Sequence, residues 1–246
     1  MIVKTPRERA YLAKSGNATA KALVAGANRV VPWLTPKDVD EAVERAILAE
    51  GCEPAFKGYR GYPCASCVSV NGAVLHGIPD ARPFEPGDVV TIDTGSVYKG
   101  FHSDAAVTVL VRGGANDLEK VRLMQCAEAA LAAGVGAAMP GPVQAVSEAI
   151  SRAVLASPFR LVESYGGHGV GLTLHEEPFV PNYPPSYDRL EVGSVIAIEP
   201  MVTTGSGKTI VDADGWTIRT ADGAVAVHVE HTVLVTALGP VIFTKC

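Results

Sequence analysis

Gly87-Asp88-Val89-Val90-Thr91-Ile92-Asp93 and Phe101-His102-Ser103-Asp104-Ala105-Ala106-Val107 are two apolar stretches, each carrying a carboxylate where a strand interior tolerates none unpaired. The pattern predicts strands over 88–97 and 101–111, with Tyr98-Lys99-Gly100 supplying a hairpin turn. Because 93 and 104 sum to an odd number, any loop of even length puts both side chains on one face, opposite or diagonal. Two acids side by side inside a sheet repel, and a divalent cation removes the repulsion.

The anomaly recurs downstream. Glu199 interrupts Val195-Ile196-Ala197-Ile198-Glu199-Pro200-Met201, and Glu230 interrupts Val225-Ala226-Val227-His228-Val229-Glu230-His231-Thr232-Val233. Alternation along that last strand places His228, Glu230 and Thr232 on one face and Val227, Val229 and Val233 on the other. Gly166-Gly167-His168-Gly169-Val170-Gly171 surrounds one histidine with glycines, as a close-approach site requires. Taken singly, each feature has a bland explanation: a strand aspartate is usually a capped turn, and a histidine in a glycine-rich loop is usually solvated. Four strand carboxylates and one such imidazole together carry a formal charge of about −4, which suits two divalent ions sharing bridging carboxylates. Oxygen donors with one nitrogen favour Mn, Fe, Co or Zn over calcium. The residues alone therefore predict a dinuclear metallohydrolase.

Around these strands the organisation reads as helix, helix, strands, twice over. Two helices are expected over 7–49, separated at Thr35-Pro36-Lys37-Asp38, with Thr35 as N-cap and Gly51 as the stop. A strand follows at 66–70. Asn116-x-x-Glu119 resembles a capping box opening a helix to about 133, 134–142 reads as a linker, and another helix is expected over 143–156. Further strands are expected at 163–167, 194–203, 216–219 and 225–235. No stretch reads as a domain linker, so the expectation is a single α+β domain over 1–246, its two related halves sharing one sheet.

Composition narrows the classes. With 246 residues, 48% hydrophobic, 19% charged and a net charge of −5, the chain is globular and lacks the basic face of a nucleic-acid binder. The N-terminus has no apolar core of a secretory signal, and the Ala-rich 129–147 stretch is too broken by Gly and Pro to span a membrane. Five cysteines, an odd count, suit reduced thiols in the cytoplasm better than a disulfide framework. Several motifs fail on inspection. Cys64-Ala65-Ser66-Cys67 runs into a strand rather than a redox helix, and no second pair exists for zinc. Gly205-Ser206-Gly207-Lys208-Thr209 has Val202 where a phosphate loop needs its first glycine, and His175-Glu176 has Phe179 where a zinc-protease helix needs its second histidine.

The spacing of these pieces resembles type I methionine aminopeptidases. The resemblance runs nearly end to end and rests most specifically on Val70-Asn71-Gly72, His76-Gly77-Ile78-Pro79-Asp80, Gly87–Asp93, Gly167-His168-Gly169-Val170-Gly171, His175-Glu176-Glu177-Pro178 and Ile198-Glu199-Pro200-Met201. It implies a pita-bread fold, with pseudo-twofold halves around a curved antiparallel sheet, and a centre of two divalent metal ions. By position Asp93, Asp104, His168, Glu199 and Glu230 match the five ligands, Asp104 and Glu230 bridging. His76 and His175 match two non-ligand histidines that face the substrate, His175 stabilising the oxyanion, while Glu199 serves as general base. Tyr59, Tyr62, Cys67, Leu174 and Trp216 match an apolar pocket for methionine.

The resemblance further implies removal of N-terminal methionine from peptides and nascent chains when the second residue is small, contact with the ribosome, a cytoplasmic monomer, and a bacterial form confined to the catalytic domain. Departures are Ser103 and Ala105 around Asp104, His228-Val229 before Glu230 where many members have Gln and an aromatic, and Phe56 and Leu174 in the pocket. Two other readings compete: a different peptidase of the same fold, such as an Xaa-Pro peptidase, and a metal-free binding module. Bound metal and methionine release from Met-Ala peptides separate all three.

Overall fold

A computed structural model of the chain describes residues 1–114 and 117–245. Two helices open the chain, α1 over Pro6–Ala27 and α2 over Pro36–Ala49. Both begin the same way. Thr5 and Thr35 each accept a hydrogen bond from the backbone two residues inside the helix's first proline, and Glu8 and Asp38 reach back to the threonine N–H. Two orphan N–H groups are thereby satisfied at each start, and Pro at the first position is already set to helical φ. The third and fourth helices, α3 over Asp117–Gly136 and α4 over Gln144–Leu155, repeat the pair in the second half. The Asn116 cap expected for α3 lies outside the described residues, and α3 runs past 133, leaving a shorter connection than expected.

Each helix pair covers its own strands with its own core. Ala18, Leu23, Val39, Val43 and Ile47 from α1 and α2 pack on Val90, Ile92 and Ala105 of the first hairpin. Leu123, Ala127, Leu131, Val146 and Ile150 from α3 and α4 pack on Ile196, Ile198, Val227, Val229 and Val233. Behind the hairpin a buried hydroxyl cluster replaces apolar packing: Ser103 Oγ lies 2.9 Å from Ser15 Oγ and 2.8 Å from Thr19 Oγ1 on α1.

The hairpin joins strands Val89–Tyr98 and Phe101–Leu110 through the two-residue turn Lys99-Gly100, Tyr98 opposite Phe101. Asp93 is opposite Ala106 and Asp104 opposite Gly95, so the two acids share a face on the diagonal, as their parity requires. Strand Ser66–Val70 flanks them, with Cys67 directly opposite Asp93. Cys67 thus sits mid-strand, not at a helix start.

In the second half the expected long strands are cut. Strand 194–203 is divided into Val195–Ile198 and Met201–Thr203, and 225–235 into Ala226–His228 and His231–Leu234. Their registers, Ile198 opposite His231 and Met201 opposite His228, place Glu199-Pro200 and Val229-Glu230 face to face in the gap. Proline lacks the N–H that would continue the ladder. The residues over 163–165 are not strand either; short pairs form instead at Arg160–Leu161 and Gly166–Gly169. All registered pairs are antiparallel, and the paired strands divide into several small sheets rather than one uninterrupted ladder.

The two halves meet along a seam of matched positions. Asp104 N–H donates to Thr232 Oγ1 at 2.8 Å, and that hydroxyl donates back to the Asp104 carbonyl at 2.7 Å. Glu230 N–H donates to the Ala106 carbonyl at 2.9 Å, and Thr108 Oγ1 donates to the His228 carbonyl at 2.7 Å. Positions 104, 106 and 108 thus face 232, 230 and 228, the alternation read from the sequence. Thr232→Val keeps the shape but leaves the buried Asp104 N–H and carbonyl short of this partner. It should cost on the order of 2–3 kcal/mol, read as a lower urea midpoint at unchanged slope.

Candidate metal centre

A cavity of about 150 Å³ opens between the halves, and all the site residues named from the sequence line it. Its floor is acidic: Asp93, Asp104, Glu199 and Glu230, all buried, with His168 and His228 beside them. Its other wall is apolar, made of Phe56, Tyr59, Tyr62, Cys67, Leu174 and Trp216. His76 and His175 also line the cavity.

The backbone explains why these side chains arrive together. Asp93 and Asp104 come from one hairpin face. Glu199 and Glu230 come from the two facing breaks, between Val195–Ile198 and Met201–Thr203 on one side and Ala226–His228 and His231–Leu234 on the other. His168 stands on Gly166–Gly169, pressed between neighbours: a Cβ at 167 would strike the Ala197 carbonyl, and one at 169 the Glu177 carbonyl. The close approach that demands glycine is therefore to protein backbone, not to a ligand. His76 adopts a positive φ of 57°, an uncommon conformation for a residue with a side chain and one that recurs at functional sites.

Hydrogen bonds fix the imidazoles. His168 Nδ1 is 2.9 Å from the Gly169 carbonyl, which places its proton there and leaves the Nε2 lone pair facing Glu199 Oε1 at 3.6 Å and Asp104 Oδ2 at 3.8 Å. His175 Nδ1 is 3.1 Å from the Tyr59 hydroxyl, with the Tyr59 ring stacked on its own at 5.3 Å. Tyr62 satisfies its hydroxyl on the Ser66 and Gly77 carbonyls, so only its ring faces the pocket, packed edge-on to Trp216.

Burial raises the carboxyls of all four acids above their ordinary range, and Asp104 adds its charge to the effect on Asp93, Glu199 and Glu230. Burial pushes His168 down to about 4 and His228 to about 3, and His175, with help from its neighbouring bases, to about 3. The imidazoles are thus neutral donors or acceptors rather than counter-cations. Asp93 Oδ1, Asp104 Oδ1 and Glu230 Oε1 are buried without a hydrogen-bond partner among the described residues. Asp104, His168 and Glu230 bring ligand atoms within 4.8 Å of one another, as do Glu199, His228 and Glu230. This donor set fits divalent cations: oxygen-rich, net anionic, and otherwise unsatisfied. Sequence reading did not place Arg60, Leu75 or His228 in the cavity; His228 alone had a signal, its shared strand face with Glu230.

The shifts make stability depend on pH and metal. In the unfolded chain the carboxyls ionise near 3.8 or 4.5, whereas folded and metal-free they hold protons to higher pH, so stability falls as pH rises. The buried histidines oppose this only below their ordinary 6.5, where the unfolded imidazoles protonate. Above about pH 6.5 the carboxyl effect stands alone. Chelator-treated protein should therefore lose melting temperature as pH rises above about 6.5, through the Asp104 value of about 7, and a divalent cation should abolish that loss.

The chain matches the family model described as metallopeptidase family M24 over residues 10–237. It is 40% identical over 248 residues to methionine aminopeptidase 1 of Bacillus subtilis, covering 100% of this chain and 99% of that protein. The crystal structure of methionine aminopeptidase from Thermotoga maritima superposes with a TM-score of 0.95 at 40% identity, all of both chains covered. Prolidase from Pyrococcus furiosus superposes at 0.81 with 25% identity, over 100% of this chain and 66% of that one. An antiparallel α+β chain whose carboxylates and imidazole line one cleft, similar throughout to such peptidases, belongs to metallopeptidase family M24.

Proposed function

We propose that this chain is a methionine aminopeptidase, removing N-terminal methionine from peptides and nascent proteins whose second residue is small. The whole chain acts as one catalytic domain, in a reducing compartment such as the cytoplasm. The observation that carries this reading is one cavity with an acidic, imidazole-flanked floor and a largely apolar wall. Two divalent ions of the Co, Mn, Fe or Zn kind, held by Asp93, Asp104, His168, Glu199 and Glu230, would supply Lewis-acid polarisation and a nucleophilic water at neutral pH.

The remaining chemistry falls to the chain's own side chains. Phe56, Tyr59, Tyr62, Cys67, Leu174 and Trp216 take the unbranched thioether, a flexible and polarisable group suited to a wall of rings and sulfur. Glu199 accepts the proton of the attacking water and returns it to the leaving amine. With Tyr59 O–H donating to His175 Nδ1, the neutral ring carries its proton on Nε2 and offers it to the developing oxyanion. His76 contacts the scissile amide nitrogen and helps deliver the proton.

Kinetics on peptide series test the substrate. A hydrophobic pocket separates near-isosteres by only ~1–3 kcal/mol, so norleucine at the first position should be accepted. Met-Ala and Met-Gly peptides should be cleaved efficiently, Met-Lys and Leu-Ala poorly. A kcat/KM profile favouring Xaa-Pro would instead assign the chain to the prolidase branch of its fold. His175→Ala should lower kcat by ~10²–10³-fold at unchanged metal content. Loss of metal from that variant would make His175 a ligand and break the assignment.

A further inference from the structure

His228 is the least exposed of the polar groups at the cavity floor, 1% accessible, yet it lines that cavity. It ends strand Ala226–His228, just before the backbone breaks at Val229-Glu230. Its backbone is tied on both sides by Thr108, whose hydroxyl donates to the His228 carbonyl and accepts from its N–H. The backbone is therefore fixed beside the cavity, and neither ring nitrogen has a hydrogen-bond partner among the described residues.

The Nε2 atom stands 3.5 Å from Glu199 Oε2 and 3.7 Å from Glu230 Oε2. Those separations are long for hydrogen bonds. They suit donors sharing a cation: two donors each ~2.0–2.2 Å from one tetrahedral metal stand roughly 3.3–3.6 Å apart. His168 makes the same pattern on the other side, 3.6 Å from Glu199 Oε1 and 3.8 Å from Asp104 Oδ2. Glu199 thus turns one oxygen to each imidazole.

We propose that His228 is a sixth protein ligand of this centre, donating Nε2 to the cation held by Glu199 and Glu230. The assignment rests on the metal centre described under the proposed function and adds a second imidazole to it. A second nitrogen donor moves the centre's preference from Mn towards Fe, Co or Zn, which imidazole suits better.

X-ray absorption of the wild-type protein, fully loaded with Co²⁺ and separately with Zn²⁺, counts imidazoles without any mutation. Two per protein are expected. His228→Gln should leave one, weaken Zn²⁺ binding in calorimetric titration at least ~100-fold, above the range for loss of an outer partner, and weaken Mn²⁺ binding less. One imidazole in wild type, with the same count and affinity in His228→Gln, would overturn the proposal and leave the five-ligand centre standing. A wild-type chain that takes up neither cation would overturn that centre as well. If His228→Gln does not fold, the wild-type count and His228→Asn decide the matter, and the melting temperature of each metal-free variant separates ligand loss from misfolding.

Discussion

Everything at this centre hangs from the seam in which positions 104, 106 and 108 of one hairpin face 232, 230 and 228 of the last strand. Through it the two halves, each with its own helix pair and its own apolar core, are held in register. Asp93 and Asp104 enter from one half and His168, Glu199 and Glu230 from the other. A slip of one residue would turn Glu230 away from the cavity and drive a valine in, because strand side chains alternate.

The seam brings together groups that oppose each other. Burial raises the proton affinity of four carboxyls in one cavity, the charge of Asp104 adds to it at the other three, and the buried imidazoles beside them stay neutral and cannot compensate. The backbone around them is satisfied by the hydroxyls of Thr108 and Thr232, and an apolar core lies behind each half. Asp93 Oδ1, Asp104 Oδ1 and Glu230 Oε1 are left without a hydrogen-bond partner among the described residues, on side chains that line the cavity.

Much of this was legible in the sequence, and the limits are physical. The hairpin acids could be placed on one face from parity alone, because strand period is fixed and the turn holds two residues. The helix starts at 36 and the strand at 66–70 were equally plain, since capping residues and β-branched runs act locally. The breaks at Glu199-Pro200 and Val229-Glu230 were not, because alternation continues across a missing hydrogen bond. Two-residue pairs such as Glu53–Pro54 with Ser96 and Val97 are defined by their partners and leave no local trace. Within the site, the four acids and His168 stood out as polar groups in apolar or glycine-rich surroundings, whereas the apolar wall was reached only through the family resemblance. Arg60 did not stand out, since it sits in the short turn Tyr59–Gly61 at a positive φ that its own identity does not announce.

The glycines beside His168 decide where its imidazole can stand. At 167 and 169 the neighbouring carbonyls exclude any side chain, so the strand bearing His168 cannot be re-sited by small steps. Position 228 is held differently: the Thr108 hydroxyl fixes its backbone and makes no hydrogen bond to the ring. The stance of His168 is therefore set by backbone packing on both sides, whereas a substitution at 228 alters the cavity floor while the backbone hydrogen bonds to Thr108 remain.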